Sequence, residues 1–355
     1  MSTTRTSLMP ALLVAIAWSM PLLADEVLPD SVRSGQGQWL ADQNRSGLLS
    51  VGSLKISDGA TEYGWLLTPL QANGDEWQPK PTHLVQAARE YVRFPSRADA
   101  LRLDDGSWMI IADFHGGGTR ILQYAHVSGD IFKPQEGASS RSASTPTMIV
   151  EVRVKPSSDA PVMRLQDLCC PRLLAHDGST WVIASALYAD KPFAGLTWIA
   201  KAEPDGRALN GLAIGDGVDP RIVRHGSGFV CAVRALRENQ TLLDAAPVVL
   251  YRSDDLRAWT PMAATGLTAS FHDYDMVSSG GTLWIAGVSG DTEPKNVLFS
   301  YDATTGAWKL QGRSSGTAAR QAGVHLLPAA GAGEARPNLV CHEGSTLKKT
   351  ELRRE

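Results

Sequence analysis

A two-part pattern returns along this chain about every 50 residues, and a repeat of that length leaves few folds open. Its first part is an alternating apolar run, a turn rich in Gly and Asp, then an aromatic residue and a second apolar run. It reads "ADALRLDDGSWMIIADF" at 98–114, "CPRLLAHDGSTWVIASAL" at 170–187, "DPRIVRHGSGFVCAVRAL" at 219–236 and "DYDMVSSGGTLWIAGVSG" at 273–290, with a degraded copy from Gly323. Period-2 alternation around such a turn predicts a β-hairpin. The second part is a short turn ending in an aromatic: "NGDEW" (73–77), "SGDIF" (128–132), "SDDLRAW" (253–259) and "TTGAW" (304–308), with "EPDGR" (203–207) a weaker member.

Interleaved, the two parts give units that start near 48, 97, 170, 219, 273 and 323. They predict an all-β chain folded as a β-propeller of six blades, each four-stranded and antiparallel. Five blades is the alternative if residues 25–90 supply outer strands only, and a β-sandwich with similar hairpins is the competing architecture. The interval from 97 to 170 is longer and carries a polar insertion, "EGASSRSASTPT" (136–147). Helical periodicity is confined to "THLVQAAREYV" (82–92), enough for about two or three turns.

The first 24 residues are of another kind. Arg5 precedes an almost wholly apolar run from Leu8 to Leu23, and Ala24 stands before Asp25 and Glu26. That is the layout of a secretory signal peptide cut after Ala24. The run falls short of the roughly 20 residues a spanning helix needs. We expect a signal peptide over 1–24 and a single propeller domain over 25–355, periplasmic or secreted, with no membrane attachment beyond the export signal. A net charge of −3 without basic runs gives no footprint for nucleic acid. Cys169, Cys170, Cys231 and Cys341 form no CxxC or Cys/His zinc spacing, and neither metal nor cofactor is expected. Export permits disulfides; Cys231 with Cys341 is a candidate pair, and Cys169 with Cys170 reads as two buried thiols.

Ser253, Asp255 and Trp259 in "SDDLRAW" resemble the Asp-box of sialidases and other BNR-repeat propellers, in a shorter form equally similar to turns of the five-bladed glycosidase propellers. "SYDATTGAW" (300–308) resembles a second, degenerate box. "YVRFPSRADALRLDDGSWMIIAD" (91–113) is similar to the sialidase opening, where an Arg-Ile-Pro motif precedes an inner strand, and "CCPRLLAHDGSTWVIASA" (169–186) to a later blade. A carboxylate in a tight turn accepts main-chain N–H groups, and a Trp beside it packs on the hairpin. Asp255 and Trp259 therefore read as the outer turn of a blade.

In a propeller the ligand site lies at the axial funnel, where the inner strands begin. The repeat places Arg93, Arg97 and Asp99 there in one blade, Arg172 in the next, Asp219 and Arg221 in the third, and Asp273 and Asp275 in the fourth, with Arg320 and Gln321 before the last hairpin. Arg forks suit carboxylate or sulfate, and Asp accepts from sugar hydroxyls. The alternative is that these arginines pair only with acids between blades. "FHDYDM" (271–276) adds His272 and Tyr274, and "DFHGGGTR" (113–120) adds Asp113 and His115 beside a Gly run.

The reading that follows is a carbohydrate-binding or carbohydrate-processing propeller, its ligand a glycan or other small polar or anionic molecule. If it is catalytic, Asp113, Asp219, Asp273 and Asp275 are the acid and base candidates, with Arg93, Arg97, Arg172, Arg221, His115, His272 and Tyr274 binding substrate. The resemblance implies a sialidase site of three arginines, an Asp and a Tyr nucleophile, of which only Arg93 carries over by motif. No Tyr follows Tyr301, so sialidase activity itself is not expected. A glycosidase needs two carboxylates about 5 Å or roughly 6.5–9.5 Å apart. The competing classes are a non-catalytic protein-binding scaffold and a metal-dependent lyase or lactonase with His115 or His272 at the axis.

Overall fold

The computed structural model describes residues 37–42, 44–55, 61–88, 96–116, 119–134, 147–148, 150–153, 162–165, 167–188, 191–203, 207–237, 240–318, 323–328, 336–343 and 346–353. The expected signal peptide, Arg93, Arg320, Gln321 and nearly all of the insertion at 136–147 lie outside them. Among the described residues every regular element is a β-strand.

The first sheet joins β1 (Gln38–Asp42), β2 (Arg45–Lys55), β3 (Thr61–Asn73) and β4 (Glu76–Pro79) in order, with β5 (His83–Ala87) also on β3. Next come β6 (Ala98–Arg102), β7 (Trp108–Gly116) and β8 (Thr119–Val127). The third group is β9 (Val150–Arg153), β10 (Val162–Arg164), β11 (Leu168–His176), β12 (Ser179–Tyr188), β13 (Lys191–Ala202) and β14 (Ala208–Asp216). Its β11–β14 form a meander, and β9 adds to β14 in parallel, where every other strand pairing among the described residues is antiparallel. Then follow β15 (Val218–His225), β16 (Gly228–Arg234), β17 (Ala246–Ser253) and β18 (Thr260–Met262), and β19 (Ser270–Ser279), β20 (Thr282–Ser289), β21 (Asn296–Asp302) and β22 (Ala307–Arg313). The last are β23 (Val324–Leu327), β24 (Asn338–Glu343) and β25 (Thr346–Lys349), and β25 pairs with β4, joining the end of the chain to its start.

The hairpins read from sequence are present. Asp177-Gly178 links β11 to β12 and Gly280-Gly281 links β19 to β20 as two-residue loops, all four residues at φ between 50° and 73°. Asp-Gly and Gly-Gly are favoured there because both central residues of such a turn need positive φ. The outer turn at 253–259 also takes the expected form. Asp255 Oδ1 accepts the Arg257 and Ala258 amides at 2.8 and 3.2 Å, and Trp259 Nε1 donates to Leu256 O at 3.2 Å. Asp302 Oδ1 accepts the Thr304 amide at 2.9 Å in the turn before Trp308.

The second strand of each hairpin is an unbroken apolar run because both of its faces are buried. On β7, Ile110, Ala112 and Phe114 pack with Leu49, Trp65 and Leu67, while Met109 and Ile111 turn to Val182, Ala184 and Trp198. On β12 the intervening Ile183 meets Phe229, Cys231 and Val233, and on β16 Val230 and Ala232 meet Met276, Ile285 and Phe299. Trp284, Ala286 and Val288 then pack on Val324, Leu339 and Cys341, and Val340 and Leu347 pack on Leu48 and Leu70 of the first sheet. The cores thus run from sheet to sheet and close a ring.

Two expectations are corrected. Residues 83–87 form strand β5 and not part of a helix over 82–92. The open edge of β3 supplies hydrogen-bond partners, and strand geometry buries Leu84, Val85 and Ala87, which outweighs helix propensity. Gly64 permits the approach, since a Cβ there would lie 2.1 Å from Gln86 O. The proposed Cys231–Cys341 bond is absent: neither residue is in a disulfide, and the two are buried in different core clusters.

Candidate functional site

β6, β11, β15, β19 and β23 pack against one another in succession as the innermost strands. Three begin with an irregularity: pairing with the next strand slips between Cys169 and Arg172, between Val218 and Arg221, and between Phe271 and Tyr274. In the first two, Cys170 and Asp219 take φ of 55° and 57°, each followed by proline. Proline has no N–H to leave unpaired, so the Asp-Pro and Cys-Pro pairs suit a bulge, and a bulge re-aims the side chain after it. Those side chains are Arg172 and Arg221.

They converge with residues from neighbouring strands on one buried network. Asp219 is fully buried and meets three guanidinium groups: Arg221 Nη1 at 2.6 Å from Oδ1, and Arg234 Nη2 and Arg97 Nη2 at 3.1 and 3.3 Å from Oδ2. Asp273 Oδ1 takes Arg97 Nη2 at 2.9 Å and Arg221 Nη2 at 3.5 Å, and its Oδ2 accepts the Val324 amide at 3.3 Å. Burial opposes the Asp219 charge, yet Arg221, Arg97 and Arg234 outweigh it and hold the carboxyl well below the usual range. Arg234 is also fully buried and donates to the main-chain oxygens of Leu242, His272 and Asp244 at 2.7, 2.9 and 3.1 Å.

Arg172 is differently placed. Its Nε donates to Pro220 O at 3.2 Å and its Nη1 to Gln38 Oε1 on β1, both uncharged acceptors. Among the described residues no carboxylate lies within ion-pair distance of it. Burial, and then the like charge of Arg221, lower its proton affinity. Arg97, Arg172, Arg221 and Asp273 are each 5–8% exposed, so the network is almost closed to solvent.

Two further aspartates staple neighbouring inner strands. Asp99 accepts the Ala100 amide at 2.9 Å and the Leu173 amide of the next inner strand at 2.8 Å. Asp275 repeats this with Met276 at 2.9 Å and Leu326 at 2.8 Å. Burial pushes both carboxyls up. Asp113 lies behind the network, accepting the Arg97 amide at 2.6 Å and Arg120 Nη1 at 2.9 Å, and burial raises its carboxyl too. His115 is buried two residues further along β7, on the same face.

The remaining candidates are spread out. Tyr274 is fully buried, with its hydroxyl 2.8 Å from Asp219 O and 2.9 Å from Ala232 O and its ring 5.0 Å beneath the Arg221 guanidinium, a position that braces the Asp219 bulge. His272 turns its Nδ1 to Leu243 O at 3.1 Å. The structure thus brings Arg97, Arg172, Arg221, Asp219 and Asp273 together, and places Asp113, Asp275 and Tyr274 around them as supports.

Sequence reasoning missed Gln38, Arg234, His325 and His342. The Nε2 atoms of His325 and His342 lie 3.4 Å apart, with the His325 ring 5.7 Å from Trp39. Burial, then His342 and the arginines, hold His325 well below its ordinary value, and burial lowers His342 to about 4. His325 stands immediately before the stapled Leu326, as Arg172 stands before the stapled Leu173. That repeat position was a usable signal, as was a lone Arg ending the apolar run "GFVCAVR". Gln38 left no signal. Among the described residues no group of three or more His, Cys, Asp or Glu side chains is placed to hold a metal ion.

No family model matches the sequence. No curated protein matches it. Solved structures do. A GH43 β-1,3-galactosidase, solved with galactodeoxynojirimycin, aligns with 79% of this chain and 94% of its own at TM-score 0.51 and 11% identity. A second GH43 β-1,3-galactosidase covers 87% of this chain and 71% of its own (TM-score 0.48, 11% identity), and an exo-1,5-α-L-arabinanase from a bovine ruminal metagenomic library covers 81% and 98% (TM-score 0.46, 11% identity). At such identity the first likeness speaks to fold alone: the ring of sheets is propeller-like, as in that structure.

Proposed function

We propose that this chain is an exported, six-bladed propeller whose axial network binds carbohydrate, and that its charges suit binding and not glycosidic cleavage. The observation that carries this is the state of Asp219, the central carboxylate. Asp219 meets three arginines and Asp273 two. A glycosidase needs one carboxyl that holds a proton to give to the leaving group. Asp219, whose carboxyl its three guanidinium groups hold well below the usual range, does not hold one. Six repeat units starting near 48, 97, 170, 219, 273 and 323 support the blade count, and the apolar stretch before Ala24 supports export to the periplasm or medium. The likeness of fold to a galactosidase makes galactose-containing glycans the first ligands to try.

Hydrolysis is the second reading, favoured by Asp275, a residue of intermediate exposure whose carboxyl burial pushes upward. Calorimetric titration of the purified protein with a glycan panel, run beside an assay for released reducing sugar, separates the two. Binding without turnover supports the proposal. Turnover abolished by Asp275→Asn establishes the second reading, and a panel that neither binds nor turns over refutes both.

A further inference from the structure

Within the axial network Arg172 has a hydrogen-bonding geometry and, among the described residues, no carboxylate within ion-pair distance. Arg97, Arg221 and Arg234 each reach Asp219, and the first two also reach Asp273. Arg172 instead meets two neutral oxygens, Pro220 O and Gln38 Oε1, which fix its plane without neutralising it. Its nearest electrostatic counterpart, Asp99, uses its two oxygens on the Ala100 and Leu173 amides. Nη2 of Arg172 meets no acceptor among the described residues, and the residue is 6% exposed.

A guanidinium held in place, desolvated and beside two others of like charge is unfavourable until an anion arrives. Fixing it beforehand is what pre-organisation for a planar acidic group requires. We infer that Arg172 anchors an anionic group, a carboxylate or a sulfate ester, carried by the axial ligand. Arg97 and Arg221, already neutralised, frame that group without holding it. The inference rests on the proposal that the axial network is a ligand site and names the ligand's charge class.

The test uses the full mature chain and Arg172→Gln, with four probes: digalacturonate, its methyl ester, galactose 6-sulfate and inorganic sulfate. Wild type is expected to bind digalacturonate or galactose 6-sulfate roughly ten- to a hundredfold more tightly than the neutral ester. Arg172→Gln is expected to lose that preference. Its melting temperature without ligand should equal or exceed that of wild type, because the substitution removes an uncompensated charge; circular dichroism confirms folding. Equal affinity for acid and ester, a preference retained by the variant, or a lower melting temperature would each overturn the inference. Uronate and sulfated sugar, run in parallel, show which group is taken. Inorganic sulfate that binds through Arg172 while no saccharide does leaves the anion site standing and removes the carbohydrate reading. Saccharide binding indifferent to charge does the reverse.

Discussion

Lowering the pH from 7 to 5 should destabilise this fold through two buried histidines. His342 is lowered to about 4 and His325 lies well below its ordinary 6.5. In the unfolded chain both return to about 6.5, so between these limits the unfolded state binds protons that the folded state does not. Stability from a lowered His is therefore complete above the unfolded value and is lost as the pH falls toward the folded one. With values of about 6.5 and 4, linkage gives a loss of about 2 kcal/mol from His342 between pH 7 and 5. His325, also held well below its ordinary value, adds to that loss, and the 3.4 Å contact couples the two rings. The raised carboxyls of Asp99, Asp113 and Asp275 act in the opposite direction, because the folded state binds their protons first. The comparison must therefore be with a variant. Urea unfolding at pH 7 and 5 should show a loss in wild type that is larger by about 2 kcal/mol or more than in a His325→Gln/His342→Gln double variant. Equal losses in the two proteins would refute the reasoning.

Three other outcomes follow from the same geometry. Asp219→Asn leaves three buried guanidinium groups short of a counter-charge and should cost about 3–5 kcal/mol in urea unfolding, whereas a loss under about 1 kcal/mol would mean water neutralises the network. Asp99→Ala and Asp275→Ala should each cost about 1–3 kcal/mol by orphaning the Leu173 and Leu326 amides, with faster hydrogen exchange at those amides and smaller effects for Asn. Asp255→Ala should cost about 1 kcal/mol and leave glycan affinity unchanged, since its carboxylate serves an exposed turn; a shift in affinity would place that turn at the site.

Much of the architecture was legible because the repeat encodes it locally. A period of two reports a strand, Asp177-Gly178 and Gly280-Gly281 report turns with positive φ, and apolar runs such as "WMIIADF" report a strand covered on both faces. Each of these signals lies within a few residues and needs no distant partner. The stretch at 83–87 was misread for the opposite reason. Its alternation is compatible with more than one element, and the free edge of β3, from about twenty residues earlier, decides which one forms.

The site divides in the same way. The repeat placed Arg97, Arg172, Arg221, Asp219 and Asp273 at strand starts, because position within a unit fixes position along the axis. It carried no information about which of them pair. Arg97 reaches Asp219 across 122 residues and Asp273 across 176, and the partner of Arg172 is Gln38, 134 residues away. Sequence alone determined that charged side chains gather at the ring's centre. Only the closed ring decided that Asp219 and Asp273 are neutralised there while Arg172 is not, because pairing depends on distances between strands that no local pattern records.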